Sequence, residues 1–169
     1  MSAFCLLRPH PSRRATHDSQ PLLLIDAHLP DIDPTPFPEA FNWDELALPE
    51  DEAREWYCVV FRSRRKLGSD SGPLYDADRV AHQEAIQNGG LIMYWYGEPN
   101  PRTRNNLATC IWQSRAHAIA ANAQPYHRCA AKLAEASYET YVLERWVLTK
   151  EKGSTGVSIE PYKEGPVGW

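Results

Sequence analysis

The chain of 169 residues lacks the compact signatures by which many enzymes announce themselves. It has no glycine-rich phosphate loop, no G-x-G-x-x-G turn and no G-x-S-x-G nucleophile elbow. No local segment is therefore arranged in advance to cradle a pyrophosphate or to present an activated serine. Histidine occurs six times but never as H-x-H or H-x-x-x-H, and the four cysteines at 5, 58, 110 and 129 form no C-x-x-C pair. Short ligand spacing of that kind is what marks a zinc or dithiol site, so no metal is expected. Positive charge is in deficit: 18 Lys and Arg stand against 22 Asp and Glu, for a net charge of −4 and a pI near 5.9. That balance argues against a nucleic-acid groove or an anionic-membrane surface. No apolar run approaches the ~18 residues of a membrane span.

What is present is enough to build a core. Apolar residues make up 43% of the chain, and six tryptophans contribute to an aromatic content of 11%. The length suits one domain with an appended arm. Three of the four cysteines lie in apolar segments, where a thiol behaves as a small hydrophobe. They are expected to be reduced and buried, in a cytoplasmic protein.

Composition shifts near residue 50. Eight of the fourteen prolines lie at or before Pro49, and proline removes backbone donors and restricts the residue before it. Residues 1–50 therefore read as an N-terminal Pro-rich arm, disordered over 1–20. Within it, 21–29 has the makings of a short strand and 41–48 those of a helical turn anchored by Trp43. Residues 51–169 read as the folded domain.

From Trp56 the patterns become regular. Residues 55–65 are rich in β-branched and aromatic side chains and predict a strand with two apolar faces: Trp56, Cys58, Val60 and Arg62 on one, Tyr57, Val59 and Phe61 on the other. Asp76 is a plausible N-cap for a helix over 77–88, stopped by Gly89-Gly90, with Val80, Ile86 and the alanines as its inner stripe. Residues 91–97 and 107–113 predict two strands joined as a hairpin with a long loop. Ser114 caps a second helix, which Pro125 interrupts. A fourth strand follows over 141–150, and residues 157–162 offer an edge strand.

The order β-α-β-β-α-β is the split βαβ, or ferredoxin-like, arrangement. It predicts an α+β fold with a four-stranded antiparallel sheet and two helices on one face. The uncovered apolar face must then meet something. A second copy packed face to face, giving a dimeric α+β barrel, is the economical solution. An arm lying across the open face is the competing one.

The run Cys110-Ile-Trp-Gln-Ser114-Arg-Ala-His117, the segment Pro125-Tyr-His127-Arg-Cys-Ala-Ala, and Tyr138-Glu-Thr-Tyr-Val-Leu-Glu-Arg-Trp146 together resemble the dimeric α+β-barrel superfamily. There a W-x-S-x-x-x-A junction leads from strand to helix. More narrowly, the chain resembles uncharacterised fungal proteins of the UPF0643 type. The resemblance spans roughly residues 55–150. It implies a homodimer with a pocket between sheet and helices, and it includes cofactor-free monooxygenases, polyketide cyclases, haem-degrading enzymes and stress-responsive barrels. The haem-degrading branch relies on an Asn in the first strand, and Trp56–Ser63 contains none.

Against that background some side chains are candidates for chemistry. His127, beside Tyr126 where the helix restarts, has the ordinary pKa of a general base for an acidic phenol or β-dicarbonyl. His117 joins it only if the Pro125 kink turns both inward. Arg62 is the least expected charge in the core pattern; it either stabilises an anion or marks the strand's exposed end. Trp95, Trp112, Tyr94, Tyr96 and Tyr126 are candidates for holding a flat substrate, although Tyr94 and Tyr96 share one strand face and Trp95 takes the other. His82 reads as a surface or packing residue. The first functional expectation is an enzyme, without metal or flavin, that deprotonates an aromatic or polyketide-like substrate; it would act as a cyclase, isomerase, decarboxylase or monooxygenase of secondary metabolism. The second is a non-catalytic binding or stress-responsive barrel whose aromatics only pack.

Overall fold

The computed structural model describes residues 35–46, 48–70 and 72–168. The expected strand at 21–29, the disorder expected of 1–20, and Cys5 lie outside the described residues. Among the described residues, five strands and three α-helices run in the order β1 (Arg54–Arg65), α1 (Gly72–Asn88), β2 (Leu91–Tyr96), β3 (Asn105–Trp112), α2 (Arg115–Asn122), α3 (Pro125–Ser137), β4 (Tyr138–Lys150) and β5 (Ser158–Pro161). The sheet order is β2-β3-β1-β4-β5, and every pair is antiparallel. Without β5 this is the ferredoxin-like order that a split βαβ imposes.

The expectation of four strands and two helices needs correction in detail. The segment after Gly156 does pair, adding β5 beside β4. Pro125 does more than kink one helix: Ala123 and Gln124 end α2, and Pro125 opens α3 at a first-turn position where its missing N–H costs nothing. The first helix starts four residues before Asp76, with the Asp70 carboxylate accepting from the Gly72 N–H at 2.9 Å. The fourth strand begins at Tyr138, earlier than the aromatic run suggests. Gly89 and Gly90, at φ +86° and +76°, end α1 as expected.

Strand pairing fixes which residues share a face. Tyr57, Val59, Phe61 and Ser63 of β1 lie opposite Trp112, Cys110, Ala108 and Asn106 of β3, and opposite Val147, Arg145, Leu143 and Tyr141 of β4. The helices cover this face, where Tyr57, Ala85, Cys110, Trp112, Ala118 and Ala121 form one cluster. The other face carries Trp56, Cys58, Val60, Trp95, Leu107, Ile111 and Leu148, and the arm fills it with Phe37, Ala40, Phe41, Trp43 and Leu46.

The arm is thus a layer of the fold. Two short 3₁₀ turns, Phe37–Glu39 and Trp43–Glu45, point their aromatic rings at the sheet. Phe37 is fully buried, and its ring meets those of Phe41, Trp43 and Trp146 at centroid distances of 5.9, 5.3 and 5.8 Å. Phe41 stands edge-on to Trp95 at 5.2 Å. Backbone bonds from Leu48 N–H to Thr155 O and from Gly153 N–H to Glu50 O tie the arm's end to the β4–β5 turn. A second copy is therefore not required to bury this face. Cys58 and Cys110 are buried free thiols, as expected, whereas Cys129 is exposed because it lies on the outer side of α3.

Candidate functional site

The alanines of the helices leave room between helix and sheet. Ala81 and Ala85 of α1, Ala118 of α2, and Ala130, Ala131 and Ala134 of α3 line a cavity of about 370 Å³ over the helix face of the sheet. That volume lies in the range of small-molecule sites. Its floor is Tyr57, Val59, Phe61 and Ser63 of β1 with Asn106, Ala108, Cys110 and Trp112 of β3. Tyr94 and Tyr96 of β2 form one wall; Tyr141 and Leu143 of β4, both partly open to solvent, form the mouth.

Helical spacing brings His127 to the cavity. His127, Ala130, Ala131 and Ala134 recur at i, i+3, i+4 and i+7, which is one stripe of a helix, and all four line the space. Glu84 of α1 fixes the start of α3 by accepting from the His127 N–H at 3.1 Å, a carboxylate at a helix N-terminus. The His127 Nδ1 is shut off from solvent and has no hydrogen-bond partner among the described residues. Burial pulls its pKa below the ordinary histidine value, against the opposing charge of Glu84. At neutral pH the uncharged form of the ring is accordingly favoured.

A second histidine lines the same space. His82 is 4% exposed, stands edge-on to Tyr94 at 5.9 Å, and has its pKa pulled down to about 4 by burial. It was not visible as a site residue because the inner stripe of α1 is Leu74, Asp78, Ala81, His82 and Ala85, rather than one containing Ile86, which is 56% exposed. The 4-3-1-3 spacing of that set is the signal that marks it. Asp78 faces the phenols at one end of the cavity: its charge adds to burial in raising the pKa values of Tyr94, Tyr138 and Tyr141. These phenols stay protonated and act as hydrogen-bond donors or acceptors.

Of the other predicted residues, Tyr94, Tyr96 and Trp112 line the cavity. Trp112 is held by its indole N–H, which donates to the Cys110 sulfur at 2.9 Å. The remaining four lie elsewhere. Arg62 is on the arm face because strand alternation puts it with Trp56, Cys58 and Val60. There its Nε donates to Glu144 at 2.5 Å and its Nη2 to the Thr35 carbonyl at 2.7 Å, so it clamps the arm. Trp95 takes that same face and packs on Phe41. Tyr126 precedes His127 by one residue, about 100° around the helix, and is 56% exposed.

His117 belongs to the strand–helix junction. Its Nδ1 is 2.8 Å from Ser114 Oγ, and its N–H donates to that oxygen at 3.3 Å. The ring lies against Gly90, where an added Cβ would fall 2.3 Å from His117 Cγ. The Pro125 break does not turn both histidines inward; it leaves His117 in α2 as a packing element.

Alternation in β1, β3 and β4 also supplies residues that no motif announces: Ser63, Asn106, Arg145 and Tyr138 line the cavity, and Arg115 reaches it from the first turn of α2. Among the described residues no group of three or more His, Cys, Asp or Glu is placed to hold a metal, and no helix is long and apolar enough to cross a membrane.

Among solved structures, the fold is similar to protein SO0527 from Shewanella oneidensis, with a TM-score of 0.48 and 13% identity over 59% of this chain and 100% of that one. It is also similar to Rv0793 from Mycobacterium tuberculosis, with a TM-score of 0.46 and 11% identity over 53% and 91% of the two chains. SnoaB from Streptomyces nogalater, a cofactor-independent oxygenase, gives a TM-score of 0.42 and 11% identity over 59% and 95%. In sequence, the chain is 34% identical over 104 residues to the UPF0643 protein PB2B2.08 of Schizosaccharomyces pombe. That alignment covers 59% of this chain and 47% of the relative, so the chain spans about half the length of the curated protein it matches. A family model described as PB2B2.08-like matches residues 15–161, and the chain belongs to that family.

Proposed function

We propose that the protein binds a small aromatic or polyketide-like molecule in the cavity between sheet and helices and acts on it by general-base deprotonation, with His127 as the base and without metal or flavin. The observation that carries this reading is the His127 side chain: it lines the cavity, is partly buried, and burial holds its pKa below the ordinary histidine value. A neutral imidazole lining a cavity can take a proton from a phenol or a β-dicarbonyl that has been brought beside it. The resulting anion would lie among phenols that burial keeps protonated, and their O–H groups can donate to the developing charge. From there it would cyclise, isomerise, decarboxylate or react with O₂. Trp112, Tyr94 and Tyr96 would hold the flat ring. Arg62 has no part in this reading, because its guanidinium is committed to the arm. The division at residue 50 and a cytoplasmic setting belong to the same reading. The working unit is the protomer with its arm in place, since face-to-face pairing of two sheets would require the arm to leave.

Turnover of aromatic polyketides and hydroxynaphthoquinones, with and without O₂ and followed by mass spectrometry, tests the proposal. His127→Gln should lower turnover by about 100-fold or more while leaving the melting temperature within a few degrees. Turnover undiminished in the variant would remove His127 from the chemistry. One observation favours simple binding instead: no acidic side chain hydrogen-bonds the His127 ring to set its tautomer among the described residues. Probes that bind but are never converted would establish that second reading.

A further inference from the structure

The two ends of the cavity differ in charge. At the Ser63 end, Asp78 is the only carboxylate among the lining residues, and it faces Tyr94, Tyr138 and Tyr141. At the Tyr57 end the lining charges are Arg115 and Arg145. Arg145 lies across the ladder from Val59 on the helix face of β4. Arg115 hydrogen-bonds the Tyr57 side chain, and both guanidinium charges act on that phenol. Arg145, Val59, Cys110 and Tyr94 share one row across the four strands, so a molecule held at Arg145 reaches Tyr94 across the sheet.

The arginines are held but not neutralised. The C-terminal segment packs beside them: Tyr162 donates its N–H to the Arg145 carbonyl at 2.9 Å, and its ring lies under the Arg115 guanidinium at 5.6 Å. The Arg115 N–H donates to the Val167 carbonyl at 3.0 Å. Neither guanidinium forms an ion pair with a carboxylate among the described residues. The Arg115 Nε is buried and has no hydrogen-bond partner there. A charged donor without an acceptor is costly when desolvated, and Arg115 and Arg145 both line the cavity, where an anionic ligand would meet their charge.

We infer that the cavity takes an aromatic carboxylate, oriented with its carboxylate between Arg115 and Arg145 and its ring running over Val59 toward Tyr94. This rests on the proposed use of the cavity for a small molecule and adds the charge and direction of that molecule. A planar carboxylate matches the fork of a guanidinium, and the ring between Trp112 and the tyrosines meets apolar and aromatic walls. The same orientation brings the ring past the His127 stripe of α3.

2-Naphthoate and its uncharged methyl ester are matched probes for this. Binding is followed by calorimetry and by intrinsic tryptophan fluorescence, to which Trp112 contributes. The acid should bind the intact protein at least about tenfold more tightly than the ester, the worth of one charge-assisted contact. That preference should weaken as salt is raised. Arg145→Gln, on an exposed strand position and outside any ion pair, should bring the two probes to equal affinity with the ester unchanged; Arg115→Gln should do the same if α2 stays folded by circular dichroism. Ala130→Trp, which fills the cavity from α3, should abolish both. If both probes bind, are blocked by Ala130→Trp, and show no preference for the acid or no loss of it in Arg145→Gln, the carboxylate assignment is wrong and the cavity reading stands. If neither probe binds, or both bind undiminished in Ala130→Trp, the cavity reading fails and takes this inference with it.

Discussion

Replacing Phe37 with alanine is the sharpest test of the arm's place in the fold. The ring is fully buried and touches three other aromatic rings, those of Phe41, Trp43 and Trp146, at 5.3–5.9 Å. Its removal leaves a void bounded by the sheet, which cannot move, and by the two 3₁₀ turns, which can move only by giving up the bond from the Trp43 indole to the Phe37 carbonyl. Truncating a buried phenylalanine in that setting costs about 3–5 kcal/mol, a large part of the ~5–15 kcal/mol by which a domain is stable. Urea unfolding followed by fluorescence and circular dichroism measures it: the midpoint should fall with the slope unchanged. Sedimentation of the same variant reports on the sheet face. With the arm loosened, Trp95, Leu107 and Ile111 become accessible, and the variant should self-associate with concentration while the parent chain does not. A loss below about 1 kcal/mol, the range of ordinary surface substitutions, together with unchanged sedimentation, would refute the arm as a structural layer.

Other outcomes follow from individual contacts. Gly90→Ala puts a Cβ at φ +76° within 2.3 Å of the His117 ring, so it should destabilise by about 2 kcal/mol or more in thermal unfolding; an unchanged melting temperature would mean that the β3–α2 junction is loose. His82 is neutral in the folded state and has its pKa displaced from 6.5 to about 4. The unfolded chain therefore binds the extra proton first as pH falls, and stability should drop between about pH 6.5 and pH 4, by up to about 3 kcal/mol at ~1.4 kcal/mol per tenfold change in proton affinity. His127, displaced in the same direction, adds to the same window. His82→Gln should flatten that acid limb relative to the parent chain; equal slopes in both would show that His82 is hydrated in solution.

Much of the scaffold is legible in the sequence alone. The alternation over 55–65 and the apolar runs at 91–97 and 107–113 located β1, β2 and β3, because a pleated strand writes its two faces into the sequence with a period of two. Ser114 announced its helix because only a short oxygen side chain satisfies the first N–H groups, and its Oγ does accept from His117. Less could be read where the outcome depends on phase. Whether His82 or Ile86 faces inward turns on about 40° of helix rotation, which alanines on both sides do not fix. Arg62 and Ser63 are adjacent, and one clamps the arm while the other lines the cavity.

The sequence by itself determined most of the elements, their order and which residues must lie on opposite faces of each strand. These are consequences of local chain geometry. Only the tertiary structure decided which face the helices cover and which the arm covers, and so which half of each alternating set becomes cavity and which becomes core. That choice is made by contacts between segments far apart in the chain. Phe37 on Trp146, Glu84 on His127, and Tyr162 on Arg115 join residues 109, 43 and 47 positions apart, and no local pattern records them.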